Sequence, residues 1–155
     1  MKTLILRAVS VLVLCVPAWQ SAAAFDAPPG LGIAETSLGA VLIDPDGLTL
    51  YIFDNDEEDK SNCYGKCEKL WPIYVAPEGA QPIGDFKPIQ RDDGYMQWSY
   101  KGKPLYTWVK DEAKGDVTGQ GFRGVWYVAT PEGGGQRTTT GDNSSGASLG
   151  GGYER

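Results

Sequence analysis

A stretch that occurs twice constrains the fold of this chain more than any other feature. The first copy spans residues 50–71 and the second spans residues 105–126, and each opens with the pattern Leu-Tyr-x-aromatic-x-x-Asp-Glu. Each copy closes with a Trp that follows the Tyr by 20 residues, and the two copies are offset by 55 residues. So many identities at one offset indicate an internal duplication. The chain should therefore fold as two related units that share a core.

The aromatic and acidic positions of the motif recur in pairs. They are Tyr51 with Tyr106, Phe53 with Trp108, Asp56 with Asp111, and Trp71 with Trp126. An Asp just after a strand can accept backbone N–H bonds and fasten a loop, and we favour that role for both Asp residues. If the two faced each other across the axis of the duplication, they would instead resemble the carboxylate pair of a glycoside hydrolase.

Sequence periodicity around the first motif predicts strands and one helix. Residues 48–53 alternate between two faces, and the turn formers Pro45-Asp46-Gly47 precede them, so this region is expected to form a β-hairpin. Ser61 is a suitable N-cap for a short helix. This helix should end at Leu70, because Pro72 disfavours the helical conformation in the residue before it.

These observations predict an all-β fold with one short helix, built from two duplicated β-hairpin units packed with pseudo-twofold symmetry. The units should span about residues 39–79 and 93–133 within a domain at 33–131. Large side chains are needed to fill the core of so small a domain. The expected core residues are Leu50, Leu105, Ile43, Trp71 and Trp126.

The two ends of the chain differ in composition from this domain. Residues 1–24 have the features of a signal peptide: Lys2 and Arg7, an apolar run too short to span a membrane, and a cleavage site at Ala22-Ala23-Ala24. Cys15 lies within this segment but follows a large residue, so we expect cleavage after Ala24 rather than lipidation, with no transmembrane segment in the product. Residues 25–32 should form an extended arm, and the Gly-, Ser- and Thr-rich tail at 132–155 should be disordered.

Charge and composition exclude several classes of function. Loss of residues 1–24 removes Lys2 and Arg7 and no acid, which changes the net charge from −6 to −8. Such an acidic chain is repelled by phosphate backbones, so nucleic acid is not expected as a partner. The absence of histidine excludes a Ser-His-Asp triad, His-type zinc sites and His-ligated haem. The expected partner is an extracytoplasmic protein or a small ligand.

Cys63 and Cys67 are the only cysteines after the signal peptide. In an oxidising compartment their spacing favours a small structural disulfide, because a helix rises about 6 Å over four residues. A redox-active pair is the alternative. The spacing is C-x-x-x-C rather than C-x-x-C, but Lys66 and Lys69 could lower the pKa of a thiolate.

An acidic loop at residues 54–60 is a candidate calcium site. Asp54, Asp56 and Asp59 offer the hard oxygen ligands that Ca²⁺ prefers, although the loop lacks the glycine and bidentate glutamate of an EF-hand. Charge runs are usually solvated loops, so the primary expectation is that no cofactor is bound.

Aromatic side chains are abundant, and they fit two interpretations. Buried, they form the core of a small β-domain. Exposed near Tyr51 and Tyr106, they would instead form a platform for sugar rings or another flat ligand.

The repeated motif resembles that of a bacterial family described as a secreted repeat of unknown function, also called predicted lipoproteins. Tyr51-x-Phe53-x-x-Asp56 and Tyr106-x-Trp108-x-x-Asp111 match its Y-x-[FWY]-x-x-D motif. Ser61-x-Cys63-x-Gly65-x-Cys67, followed by Trp71-Pro72, is similar to its S-x-C-x-G-x-C…W-P segment. The resemblance covers about residues 39–131 and implies an extracytoplasmic location without an assigned activity. It supplies no catalytic residues.

Three classes of function follow from the sequence. The leading hypothesis is a periplasmic or secreted, non-enzymatic binding or interaction module. A redox or metal-handling accessory protein, using Cys63 and Cys67 or the acidic loop, is the first alternative. A hydrolase that uses carboxylates alone is the second.

Overall fold

The computed structural model describes residues 25–135 of the chain. The predicted signal peptide at 1–24 and most of the predicted tail at 132–155 lie outside the described residues. Within the described part, no helix has the length and apolar character needed to cross a membrane.

Short antiparallel strands and one helix make up the described fold, as the sequence predicted. The strands are β1 (Gly32–Thr36), β2 (Gly39–Ile43), β3 (Tyr51–Phe53), β4 (Phe86–Gln90), β5 (Met96–Tyr100), β6 (Lys103–Pro104) and β7 (Trp126–Val128); the helix is α1 (Lys66–Leu70), and a single 3₁₀ turn spans Phe122–Gly124. The sheets contain β1 with β2, β3 with β7, and β4, β5 and β6 in that order.

The two units exchange their last strands. β7 belongs to the second unit but pairs with β3 of the first, with Tyr51 opposite Val128. The equivalent segment of the first unit pairs with the second, where Ile73 lies opposite Tyr106. Tyr51 and Tyr106 also face each other and exchange backbone hydrogen bonds of 2.8 and 3.0 Å. The pseudo-twofold axis therefore passes between these two residues, and the units are interlocked rather than merely packed.

Two hydrophobic clusters form because successive side chains of a strand point to opposite faces. One cluster contains the aliphatic side chains Leu50, Ile52 and Leu105, and the other contains the motif aromatics. Of the predicted core residues, Leu50, Leu105, Trp71 and Trp126 are buried, whereas Ile43 is only partly so.

Some local predictions were wrong. Ser61 does not cap the helix: α1 begins at Lys66, Gly65 precedes it, and the Ser61 hydroxyl is used in tertiary contacts. The segment at 25–32, predicted to form an extended arm, packs against the domain: Leu31 is buried, and the Phe25 ring lies edge-on to Phe86 at 5.8 Å. Each unit also starts with a strand, β1 or β4, that precedes its predicted beginning.

Candidate functional site

The motif Tyr of each unit is hydrogen-bonded to the motif Asp of the other unit. The Tyr51 hydroxyl donates to Asp111 Oδ2 at 2.6 Å, and the Tyr106 hydroxyl donates to Asp56 Oδ2 at 2.6 Å. Both tyrosines are fully buried, and both carboxylates are nearly so. Neither Tyr51 nor Tyr106 is therefore itself exposed as a binding platform.

Each Asp also fastens the loop that follows its own strand. Asp56 Oδ1 accepts the Asn62 N–H at 2.7 Å, and Asp111 Oδ1 accepts the Thr118 N–H at 3.0 Å and the Thr118 hydroxyl at 2.6 Å. This is the loop-fastening geometry that we favoured from the sequence. Both oxygens of each motif carboxylate are thus engaged in hydrogen bonds within the protein.

Burial sets the protonation of these groups. It raises the pKa of Asp56 to about 6, although the hydrogen bonds from Tyr106 and Asn62 act in the opposite direction. Burial, together with the neighbouring carboxylates, also raises the pKa values of Tyr51 and Tyr106, so both phenols stay protonated as donors.

Position 119 requires glycine, because two aromatic rings occupy the space that a side chain would need. A Cβ there would lie 2.7 Å from the Trp71 ring and 3.0 Å from the Tyr51 ring. The Gly119 N–H donates to the Tyr51 hydroxyl at 3.2 Å. The Gly-rich loop of the second unit thus lies directly against the Tyr51–Asp111 pair.

Four rings form one continuous stack across the pseudo-twofold axis. Trp71 and Trp126 are parallel within 1° at a centroid distance of 3.8 Å, Phe53 stacks on Trp126 at 4.3 Å, and Trp108 stacks on Trp71 at 4.1 Å. The two inner rings are equivalent in the duplication, and so are the two outer rings. Stacked pairs contribute about 0.5–1.5 kcal/mol each beyond their burial, so the motif aromatics hold the two units together.

A groove of about 480 Å³ opens beside this stack. Pseudo-equivalent residues contribute to it in pairs: Trp71 with Trp126, Leu70 with Val125, and Cys67 with Phe122. The remaining lining residues are Phe53, Asn55, Lys66 and Arg123. The groove therefore straddles the axis of the duplication, a position that only the exchange of strands creates.

An asymmetry between the units explains why the groove opens at Phe53. Phe122 covers Trp108, with a centroid distance of 5.0 Å. The equivalent position beside Phe53 is Cys67, whose side chain is much smaller. We infer that the missing ring volume leaves the face around Phe53 open to solvent.

The predicted disulfide between Cys63 and Cys67 is present, with a Cα–Cα distance of 5.2 Å. Cys63 is fully buried, whereas Cys67 is partly exposed and lines the groove. The disulfide therefore fixes one wall of the groove.

Sequence reasoning missed Arg91, which organises the disulfide loop. Its fully buried guanidinium donates to the Ser61 hydroxyl at 2.6 Å, the Cys63 carbonyl at 3.0 Å and the Gln97 side chain at 3.1 Å. Asp93 and Glu68 neutralise its charge at 2.7 and 3.2 Å. No periodicity or motif marks an isolated Arg, so the sequence carried no signal for this role.

The acidic loop does not assemble the predicted calcium ligands. Asp59 accepts hydrogen bonds from Lys87 and Ser99, which lower the pKa of Asp59 despite its desolvation, and Asp56 is held by Tyr106. Among residues 25–135, no group of three or more acidic, Cys or His side chains is arranged to hold a metal ion. Asp54, Asp56 and Asp59 therefore do not form a common metal site.

The geometry defines a class of protein: a small β-module in which two duplicated, strand-exchanged units are joined by reciprocal Tyr–Asp pairs and a ring stack. A family model described as a secreted repeat of unknown function matches residues 32–74 and 87–130. The chain belongs to this family, which confirms the resemblance seen in the motifs. It is therefore a secreted, extracytoplasmic module whose family has no assigned role.

Neither the curated proteins nor the solved structures contain a significant match to this chain.

Proposed function

We propose that this protein is a non-enzymatic, periplasmic or secreted binding module that holds a small flat ligand in the groove between its units. The main support for this proposal is the groove itself, which lies beside stacked aromatic rings at the axis of the duplication. Its volume of about 480 Å³ falls within the range of small-molecule sites. The motif tyrosines and aspartates then serve to hold the two walls in place.

The chemistry of the lining supports a binding role rather than catalysis. Apolar and aromatic side chains dominate, and Asn55 adds a neutral amide beside two cations. Neither Asp56 nor Asp111 contributes to the groove, so the two motif carboxylates are not available to a ligand bound there.

The test uses N-phenylnaphthylamine, a flat neutral molecule that fluoresces when it enters an apolar site. We expect saturable binding to the mature protein with one site per chain, accompanied by a change in tryptophan fluorescence. Val125→Phe should abolish this binding by filling the groove. Val109→Phe is the matched control, because Val109 is exposed and does not line the groove. Equal binding by the two variants would refute a site in the groove.

One observation favours a redox accessory role as the second candidate: Cys67 lines the same groove. A bound reductant or partner thiol could reach only this sulfur, since Cys63 is fully buried. Thiol titration of the native protein across redox buffers tests this. A midpoint below about −300 mV is typical of a structural disulfide and would eliminate the redox role.

A further inference from the structure

We infer that the ligand of this groove is an anion carried on a flat apolar body, such as an aryl carboxylate or sulfonate, and that Lys66 and Arg123 recognise its charge. This inference rests on the proposed binding function and adds the chemical class of the ligand.

The charge of the groove is opposite to that of the chain. The whole chain has a net charge of −6, yet the ten residues that line the groove include two cations and no acid. Glu68, the acidic neighbour of Cys67, is drawn instead into an ion pair with Arg91 at 3.2 Å. An acidic protein with a locally cationic pocket attracts anions to that pocket and repels them elsewhere.

The two cations of the groove lie at its solvent-exposed edge. Lys66 and Arg123 are both exposed, and neither forms an ion pair with another residue in the described range 25–135. The Arg123 guanidinium lies 5.5 Å from the centre of the Phe122 ring, which holds it over the apolar wall. A carboxylate or sulfonate at the mouth could therefore pair with both cations while its ring rests against the aromatic residues.

The backbone of Arg123 provides an independent reason to assign it a role. Its φ of 53° and ψ of 17° place it in the left-handed region, which is unfavourable for any residue with a side chain. Gly121 precedes the 3₁₀ turn and Gly124 ends it, both with positive φ, so glycine would be the unstrained choice at position 123 as well. The chain instead keeps a long cationic side chain at a strained position on the rim of the groove.

The first experiment compares two probes with the same rings. Anilinonaphthalenesulfonate carries a negative charge, and N-phenylnaphthylamine does not. We expect the sulfonate to bind the mature protein more tightly. The double variant Lys66→Gln/Arg123→Gln should weaken sulfonate binding about tenfold, which corresponds to two modest ion pairs, and leave the neutral probe unchanged. Lys110→Gln/Lys114→Gln, with the same change in net charge outside the groove, should leave both affinities unchanged.

The outcomes separate this inference from the proposed function. If both probes bind with equal affinity and the groove variant has no effect, the anion inference is overturned while the groove remains a binding site. If the matched control weakens the sulfonate as much as the groove variant does, the effect is one of general charge, and the inference fails. If neither probe binds, the proposed function itself fails.

A second variant measures the effects of Arg123 on stability and on binding separately. Arg123→Gly relieves the left-handed strain, so we expect a higher Tm together with weaker sulfonate binding. A lower Tm with unchanged affinity would mean that Arg123 has only a structural role and would overturn its assignment as an anion-binding residue.

Discussion

The reciprocal Tyr–Asp pairs make a specific prediction about how the two units are coupled. Replacing Tyr106 with Phe removes only the hydroxyl, which donates to Asp56 Oδ2 at 2.6 Å and contacts Ser61 Oγ at 2.8 Å. The aromatic ring stays in place, edge-on to Trp126. The change therefore isolates the hydrogen bonds that cross between units.

The magnitude follows from burial and charge. Tyr106 has no exposed surface, and Asp56 is only 7% exposed, so water cannot replace the lost donor. A hydrogen bond to a charged group contributes about 1.5–3 kcal/mol. We expect Tyr106→Phe to lower the free energy of unfolding by about 2–3 kcal/mol. For a domain of this size, each kcal/mol lowers the Tm by about 4 °C or more.

The assay is a set of double-mutant cycles by chemical denaturation at about pH 8, where Asp56, with a pKa of about 6, is ionised. Tyr106→Phe combined with Asp56→Asn should show a coupling energy of about 1.5–3 kcal/mol. The cycle of Tyr51→Phe with Asp111→Asn should give a similar value. Tyr95→Phe is the control, since Tyr95 is 61% exposed and should change stability by less than about 0.5 kcal/mol.

A different pairing would refute the reasoning. If each Tyr bonded the Asp of its own unit, Tyr106→Phe would couple to Asp111→Asn, and the Tyr106–Asp56 coupling would be close to zero. Strand exchange predicts the opposite pattern, with the Tyr106–Asp111 coupling within about 0.5 kcal/mol of zero.

Three further predictions concern the residues that support the groove. Arg91→Met should destabilise the fold by about 2–4 kcal/mol in urea unfolding, because it leaves the buried acceptors and carboxylates around the guanidinium without a donor. Arg91→Lys should restore only part of this loss, and equal stability of Arg91→Met and wild type would contradict the role of Arg91. Replacing Cys63 and Cys67 together by Ser should lower the free energy of unfolding by about 2 kcal/mol, since the disulfide closes a short loop. The affinity of the groove for N-phenylnaphthylamine should fall as well. Unchanged stability would show that the disulfide does not support the wall of the groove that Cys67 lines. The fold raises the pKa of Asp56 from 3.8 to about 6, so protonation of Asp56 stabilises the folded state by about 2–3 kcal/mol. This stabilisation is complete below pH 3.8 and is lost as the pH rises through 6. Asp56→Asn should remove this pH dependence of stability, and a wild-type profile in the variant would exclude Asp56 as its source.

Periodicity and spacing were enough to predict much of the fold. The duplication, the alternation along residues 48–53 and the disulfide spacing led to an all-β fold with one short helix. The structure and the family match confirm the fold class, the two repeated units and the disulfide, while the strand itself covers only Tyr51–Phe53. These features are local or nearly so, and local signals survive in a linear sequence. The start of α1 was misplaced because Ser61 looks like an N-cap until the buried guanidinium of Arg91 is known to engage its hydroxyl.

The repeated motif, the family and the pairs of equivalent residues can be read from the linear sequence. Which member of each pair contacts which is visible only in the folded chain: Tyr51 contacts Asp111 rather than Asp56, and Trp71 stacks on Trp126. A duplicated sequence is compatible with contacts within a unit or between units, and the packing of whole strands selects one set. The same exchange of strands places Lys66 and Arg123, which lie far apart in the sequence, on the rim of one groove.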